Sequence, residues 1–201
     1  MASSAGVFDI RKQLAFYGAY HANPTNILIH IVCVPIIVWT FKVFLADVPT
    51  PSFVPEVHYT FNEYLAFDLN WSVLFAATYL VYYYTLEPVA AALYTPQWIL
   101  STLSAAAFSK TGDHVKIAAV AHGVAWIAQF IGHGVAEGRA PALLDNLLGA
   151  VVLAPFFVHL EILFTLGYRP EMHKQLKNDV GKEILRIKTI EGDKKRARKE
   201  L

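Results

Sequence analysis

The chain has 201 residues, of which 55% are hydrophobic and only 16% are charged, and its formal net charge is +1. This composition excludes a disordered chain and argues against a soluble enzyme, because one small core cannot bury so many apolar side chains. The near-neutral charge gives no indication of nucleic-acid binding, and the single cysteine, Cys33, excludes an internal disulfide. We therefore interpret the sequence as that of an integral membrane protein.

The first 26 residues predict a short helix followed by a turn. Residues 8–20 have an amphipathic pattern, and the N-terminus lacks the basic start, apolar run and cleavage site of a signal peptide. Pro24 then breaks the chain, and Asn23 or Thr25 can cap the helix that follows.

Apolar stretches that are long enough for membrane helices fill most of the chain from residue 27 to residue 167. A helix needs about 20 mostly apolar residues to cross a bilayer, and the candidate stretches are 27–46, 71–108, 115–135 and 146–167. The second stretch is too long for one span and short for two, so we expect about four to five membrane-inserted helices. Residues 47–70, which contain three prolines and neither Lys nor Arg, are predicted to be a loop.

These segments lack the alternation of a barrel strand, and only helices or closed barrels satisfy backbone polar groups in lipid. We therefore predict an all-α, multi-pass membrane helical bundle without a sheet. It forms a single membrane domain over residues 1–201, with the membrane helices in 27–167 and a polar, basic tail in 168–201 that forms a surface helix.

The distribution of basic residues predicts that both chain ends lie in the cytosol. Eleven of the 17 Lys and Arg residues lie from Arg169 onward, and none occurs between residues 43 and 109. The positive-inside rule therefore assigns the tail to the cytosol, and Arg11 and Lys12 assign the N-terminus to the same side. Two ends on one side require an even number of crossings.

Two groups of histidines stand out, because ionisable residues inside a bilayer are candidates for function. His21 and His30 occur in YHANPTNILIH, with Asn23 and Asn26 between them. Pro24 allows the chain to turn there, so the two imidazoles need not point to opposite sides. The alternative is a capped helix start with two histidines at the membrane interface.

The second group lies on the helix predicted over residues 115–135. At about 100° per residue, four polar or amphipathic side chains share one face, with the last three within about 40° of the first: His122, Trp126, Gln129 and His133. A polar stripe of this kind faces protein or a cavity rather than lipid, and Gly132 and Gly134 let another backbone approach closely. The alternative is a stripe of structural hydrogen bonds in the bundle core.

A metal site in this chain would be mostly or entirely histidine, because there is one cysteine and there are few carboxylates in the apolar stretches. Neutral imidazole is the commonest metal ligand. It suits iron, zinc, copper or nickel, so the ligands alone do not choose the metal. The HxxHH and HxxxH spacings of the di-iron membrane hydroxylases are absent.

The two groups carry a resemblance to a known family. FYGAYHANPTNILIH with the following VCVPII, and then WIAQFIGHGVAEGRAPALLDNLLGAVVLAPFFVHLEILFTLGYRP, resemble the fungal 2-hydroxy fatty acid dioxygenases of the endoplasmic-reticulum membrane. The resemblance implies an enzyme that uses ferrous iron and dioxygen, without 2-oxoglutarate. Its partners would be membrane lipid and a long-chain 2-hydroxy fatty acid, which it would shorten by one carbon with release of carbon dioxide, as in phytosphingosine breakdown.

The resemblance also implies roles for single residues. His21, His30 and His133 match motif histidines and are the expected metal ligands, and His122 is a fourth metal candidate. Five further residues lie on matching motif positions and are the candidate catalytic residues: Asn23, Asn26, Gln129, Glu137 and Arg139. Of these, Arg139 is suited to pair with the substrate carboxylate.

The positions of the histidines constrain the topology. His122 and His133 are about 16 Å apart along a straight helix, so one straight helix should not give both to one ion. Since His30 lies near the start of the first span, the helix that bears His133 must end on the same side, which requires two helices in 71–108. The last stretch would then re-enter or kink at Pro155, and the tail would return to the cytosol.

Three other functions fit parts of the sequence. A non-catalytic membrane scaffold would use the histidines as a structural or metal cluster. A transporter would use a histidine and Glu161 as a proton relay, although the sequence shows no inverted repeat. A membrane metallohydrolase would use the metal without consuming dioxygen. Nothing in the sequence predicts the oligomeric state.

Overall fold

The computed structural model describes residues 6, 8–138 and 149–197, most of which are helical. The seven α-helices in this part of the chain are α1 (Ile10–Tyr20), α2 (Pro24–Ala46), α3 (Trp71–Leu86), α4 (Pro88–Phe108), α5 (His114–Ile131), α6 (Ala154–Thr165) and α7 (Pro170–Ala197). Two π-helical segments adjoin them, Gly132–Glu137 directly after α5 and Gly149–Leu153 directly before α6. The prediction of a predominantly helical protein is confirmed.

The prediction of a chain without a sheet is wrong between α2 and α3. Residues 47–70 contain an antiparallel hairpin of β1 (His58–Asn62) and β2 (Leu65–Asp68). Both strands contain aromatic side chains, which favour extended backbone. An isolated hairpin is only marginally stable, and this one is anchored by Ala66, which is buried against two alanines of α4.

Local sequence signals set the boundaries of the helices around the site. The Asn23 side chain accepts a hydrogen bond from the Thr25 N–H at 2.9 Å, and Pro24 lies in the first turn of α2, so the predicted Asn23 cap is confirmed. The stretch 71–108 divides into α3 and α4 at Glu87, whose backbone is extended because the next residue is a proline. The two helices predicted there are present.

Pro155 lies at the point where the π-helical segment Gly149–Leu153 gives way to α6. A proline in the first turn of a helix removes no helical hydrogen bond. The helix geometry therefore changes at the residue where a kink is predicted. Residues 146–148 of the predicted last stretch lie outside the described residues, and the number of membrane crossings stays a prediction.

Helices α2 and α5 pack side by side and run antiparallel along their whole length. Asn23, before α2, donates from its side chain to the carbonyl of Ala136. Thr40 and His122 form a hydrogen bond in the middle. At the other end His114 contacts the Asp47 carboxylate at 2.8 Å. The start of α2 and the end of α5 therefore lie together, and we call this the histidine end of the bundle; the opposite end carries the hairpin and is called the hairpin end.

Helices α3, α4 and α6 complete the core beside α2. The indole of Trp98, on α4, is almost fully buried and donates to the Ala76 carbonyl of α3 at 3.0 Å. Tyr83 of α3 stacks on Phe156 of α6 with ring centroids 4.5 Å apart. This aromatic packing holds α6 against the bundle.

The two terminal helices, α1 and α7, pack against each other. Arg11 forms an ion pair with Asp179 at 2.6 Å, and a Cβ at Gly18 would lie only 2.6 Å from a methyl of Val180. Since α1 leads directly into the start of α2, α7 also lies at the histidine end. Arg169, just before α7, pairs with Glu87 at the turn between α3 and α4.

Two of the described helices are long and apolar enough to cross a membrane: Pro24–Ala46, and His114–Glu137 with its π-helical end. Both expose large apolar side chains on the side away from the bundle, such as Val32 on α2 and Val124 and Ile127 on α5. The prediction of four to five inserted helices is therefore supported for two of them.

Candidate metal centre

Three histidines from three separate elements meet at the histidine end of the bundle. His21 follows α1, His30 lies in the second turn of α2, and His133 lies in the π-helical segment after α5. Their ring centroids are 4.4, 4.8 and 4.9 Å apart. One ligand atom from each lies within 4.8 Å of the others, and all three side chains are buried. We call these three residues the histidine cluster.

Hydrogen bonds to backbone carbonyls fix the tautomer of two of these rings. The Nδ1 of His21 lies 2.8 Å from the Tyr17 carbonyl oxygen, and the Nδ1 of His30 lies 2.9 Å from the Asn26 carbonyl oxygen. A carbonyl can only accept, so each Nδ1 carries the proton and each Nε2 keeps a free lone pair. Carbonyl-bonded imidazoles of this kind are typical of metal ligands.

His133 differs from the other two rings. Its Nδ1 is buried and has no hydrogen-bond partner among the residues that the structure describes. The interplanar angles within the cluster are 71–82°, so the three rings are almost mutually perpendicular and converge edge-on. Such an arrangement lets three nitrogens approach one ion from different directions.

Aromatic packing and burial keep His21 in place and uncharged. Tyr17 stacks on the His21 ring, with centroids 3.9 Å apart and planes 15° apart, and Phe157 packs against Tyr17 with centroids 4.8 Å apart. Burial, together with the nearby His30, lowers the pKa of His21 well below its ordinary value. A neutral imidazole is the form that binds a metal. Sequence reasoning missed Tyr17, although its place four residues before His21 on a helix is a usable signal.

Three of the candidate catalytic residues join the two helices that carry the cluster. The backbone N–H of Asn23 donates to the Glu137 carboxylate at 2.6 Å, and the Asn23 side chain donates to the Ala136 carbonyl at 2.9 Å. The Asn26 side chain also reaches Glu137, at 3.5 Å. These contacts fix the end of α5 against the start of α2, and thereby set His133 beside His30.

The close approach of the two helices depends on Gly132. A Cβ at this position would lie 2.5 Å from the Asn26 Oδ1 and 3.1 Å from a methyl of Ile29. The predicted role of this glycine in a close approach is therefore confirmed. Gly134 has none of the described residues within 4 Å of its Cβ position, so the same expectation is wrong for Gly134 as far as this part of the chain shows.

Of the remaining predicted residues, His122 stays apart from the cluster. Its Nε2 accepts from the Trp126 indole at 2.9 Å, and its Nδ1 lies 2.8 Å from the Thr40 hydroxyl. Gln129 is buried four residues before His133, and its Nε2 has no partner within the described part of the chain. Arg139 lies outside the described residues.

The donor set fits a metal that prefers imidazole. Three buried nitrogens without a thiolate suit iron, zinc, copper or nickel. With three ligands from the described part of the chain, coordination positions stay open for a substrate and a small molecule, as in open-site metal enzymes.

Comparison with known proteins assigns the chain to a family. Residues 7–166 match the family described as "2-hydroxy-palmitic acid dioxygenase Mpo1-like". The chain is also 35% identical over 176 residues to the 2-hydroxy-palmitic acid dioxygenase MPO1 of Saccharomyces cerevisiae, across 87% of this chain and 91% of the yeast protein. No solved structure gives a significant match. The chain therefore belongs to the 2-hydroxy-palmitic acid dioxygenase Mpo1-like family.

Proposed function

We propose that this protein is an iron(II)-dependent dioxygenase that converts a long-chain 2-hydroxy fatty acid to the fatty acid one carbon shorter and carbon dioxide. The observation that carries the proposal is the histidine cluster, in which His21 and His30 each direct a free Nε2 lone pair into the same small buried space as His133. The name of the yeast relative supports the substrate class.

The overall reaction balances without a second oxidisable substrate. The bond between the carboxyl carbon and the hydroxyl-bearing carbon breaks. The carboxyl carbon leaves as carbon dioxide, and the hydroxyl-bearing carbon is oxidised to the new carboxyl group. Dioxygen is reduced, and one water forms. The 2-hydroxy acid itself supplies the electrons that dioxygen accepts, so no 2-oxoglutarate is required.

The residues of this chain hold and shield the reacting groups. His21, His30 and His133 would hold the ferrous ion, which when bound supplies the one-electron chemistry that allows dioxygen to react. Tyr17 covers one face of the His21 ring, and Phe157 packs against Tyr17, which excludes water from that side. Asn23 and Glu137 keep the two halves of the cluster together, so the open positions face one common space.

We also propose that the protein is a multi-pass protein of the endoplasmic-reticulum membrane whose metal centre lies near the cytosolic surface. The basic residues of α1 and α7 are at the histidine end, where the two helices pack together. The positive-inside rule assigns such an end to the cytosol. The metal would then be reached from the leaflet in which an acyl substrate dissolves.

Turnover by the purified protein tests this function. With ferrous iron and 2-hydroxypalmitate, the expected result is pentadecanoate and carbon dioxide in equal amounts, with consumption of dioxygen. His133→Ala is expected to abolish turnover, whereas His58→Ala, on the hairpin at the opposite end, is expected to keep it. If the wild-type protein binds no iron, or consumes no dioxygen with this substrate, a scaffold or a hydrolase replaces the dioxygenase.

A further inference from the structure

An apolar cavity begins one helical turn from the histidine cluster and runs along α2 and α5 toward the hairpin end. Its volume is about 240 Å³. Its walls come from α2, α3, α5, the π-helical segment before α6 and the start of α6. The lining includes Val34, Phe41, His122, Gln129 and Ala154. Val34 is one helical turn beyond His30, and Gln129 is one turn before His133, so this end of the cavity lies one turn from two of the three cluster residues.

The cavity has one polar end. Gln129 is 8% exposed. Its Nε2 is buried and has no hydrogen-bond partner within residues 8–138 and 149–197, and no other residue that lines the cavity has such an atom in this part of the chain. A buried amide N–H without a partner is costly, which indicates that a ligand oxygen completes it. Gln129 lies at the end of the cavity nearest the histidine cluster, on the same helix face as His133.

The rest of the wall offers few groups for a polar ligand, and these belong to Tyr79, His122 and Trp126. His122 lines the cavity, but both of its ring nitrogens are occupied, by the Thr40 hydroxyl and by the Trp126 indole. The remaining lining is aliphatic or aromatic for the most part. From Val34 to Phe41 the cavity follows α2 for roughly 10 Å, at about 1.5 Å per residue.

We propose that this cavity holds the first part of the acyl chain of the substrate, and that Gln129 binds the 2-hydroxy carboxylate end by donating its Nε2–H to a substrate oxygen. The inference rests on the proposed function and extends it to the substrate's orientation. The head group lies at the histidine cluster, and the chain points toward the hairpin end, parallel to the α2 and α5 helices. In the bilayer this direction is that of the lipid tails.

The volume of the cavity limits how much of the acyl chain it can enclose. Pockets that enclose drug-sized ligands have volumes of roughly 300–1,000 Å³, and this one is smaller. Only the methylenes nearest the head group are therefore enclosed, and the rest of a long chain leaves past Phe41 into the lipid. Each enclosed methylene should improve affinity by at most about threefold to fourfold, which is the gain for transfer from water. Methylenes beyond Phe41 should add little, because the same lipid or detergent surrounds them in the free and in the bound acid.

Anaerobic binding of 2-hydroxy acids to the iron-loaded protein in detergent tests this inference, because without dioxygen no turnover occurs. For the wild type, affinity should rise with chain length and then level off before 2-hydroxypalmitate. Gln129→Leu keeps the side-chain size and should weaken binding by about tenfold at every chain length, with iron content unchanged. Restoration by Gln129→Asn is not expected, because the shorter side chain withdraws the amide.

Two changes in the wall test the chain position. Ala154→Phe fills the cavity and should remove the dependence on chain length. Phe41→Ala, at a half-exposed position that tolerates truncation, should extend the rising part of the curve to longer chains. Ile127→Phe, on the outer face of α5, is the matched control and should leave the curve unchanged.

The inference is overturned if Gln129→Leu binds the acids as tightly as the wild type does. It is also overturned if the wall variants change the affinity for acids of every chain length equally. The second result would mean that the cavity holds a structural lipid. Both results leave the proposed function intact as long as the wild type turns over 2-hydroxypalmitate. A wild type that does not turn over 2-hydroxypalmitate contradicts the function itself.

Discussion

The backbone amide of Asn23 donates a hydrogen bond to the side chain of Glu137 at 2.6 Å, across 114 positions of the sequence. Glu137 closes the π-helical segment that carries His133, and Asn23 caps the helix that carries His30. This single contact therefore joins the two halves of the histidine cluster. A carboxylate beside a helix N-terminus is also favoured by the helix dipole.

Loss of the Glu137 carboxylate should loosen the cluster without removing a ligand. Glu137→Ala is expected to lower the free energy of unfolding by about 1–2 kcal/mol and to weaken iron binding, because His133 is no longer held against α2. Glu137→Gln keeps an acceptor oxygen and should retain most of the iron. Iron titration of the two variants checks this, and wild-type iron affinity in Glu137→Ala would contradict the role of this contact.

Gly132 and Gly134 provide a matched pair for the close approach of α2 and α5. Gly132→Ala brings a Cβ to within 2.5 Å of the Asn26 Oδ1, and overpacking of this kind costs about 1–3 kcal/mol. We expect lower thermal stability and a weaker metal site. Gly134→Ala meets no atom of residues 8–138 and 149–197 within 4 Å and should bind iron normally. Equal iron binding by the two variants would show that the approach at Gly132 is not needed.

The cluster residues and His122 show how much of the site could be predicted from the sequence alone. The sequence could identify His21, His30 and His133 as candidate metal ligands for two reasons. An ionisable residue in an apolar stretch is a candidate for function, and the motifs resemble those of a known family. The separation of His122 from the cluster followed from helix length. The hydrogen bonds of His122 to Thr40 and Trp126 could not be foreseen, because they depend on the side-by-side packing of α2 and α5.

The hairpin could not be predicted from the sequence, for a different reason. Three prolines in residues 47–70 indicated an irregular loop, and the alternation in His58–Asn62 covers only five residues. Its stability comes from the burial of Ala66 against α4, which is a tertiary contact. The role of Glu137 likewise depends on Asn23, which lies 114 positions away in the sequence.

Lys42 gives a test of stability that is independent of the metal. It is fully buried in α2, and its ammonium group lies over the Trp98 ring and contacts the Ser101 hydroxyl at 3.2 Å. A buried charge costs free energy even when it is hydrogen-bonded, so Lys42→Met should keep or raise the melting temperature. Lys42→Ala leaves a cavity and should lower stability by about 2 kcal/mol or more. A loss of stability in Lys42→Met equal to that in Lys42→Ala would contradict this expectation.

The pairing of α1 with α7 predicts the side of the membrane on which the tail lies. An N-glycosylation tag placed after residue 201 should stay unmodified, because α7 packs on α1 at the histidine end. A tag inserted between β1 and β2, at the hairpin end, should be glycosylated and serves as the positive control. Modification of the tail tag would place α7 in the lumen and exclude the proposed topology.

X-ray absorption at the iron edge of the purified protein tests the metal centre most directly. The account predicts one iron ion per chain with imidazole nitrogens at about 2.0–2.2 Å, and a clear loss of the imidazole signal in His21→Ala, His30→Ala and His133→Ala. His122→Ala should leave the spectrum unchanged. Iron bound without imidazole ligands, or a spectrum that does not change in any of the three cluster variants, would contradict the assignment of this cluster as the metal site.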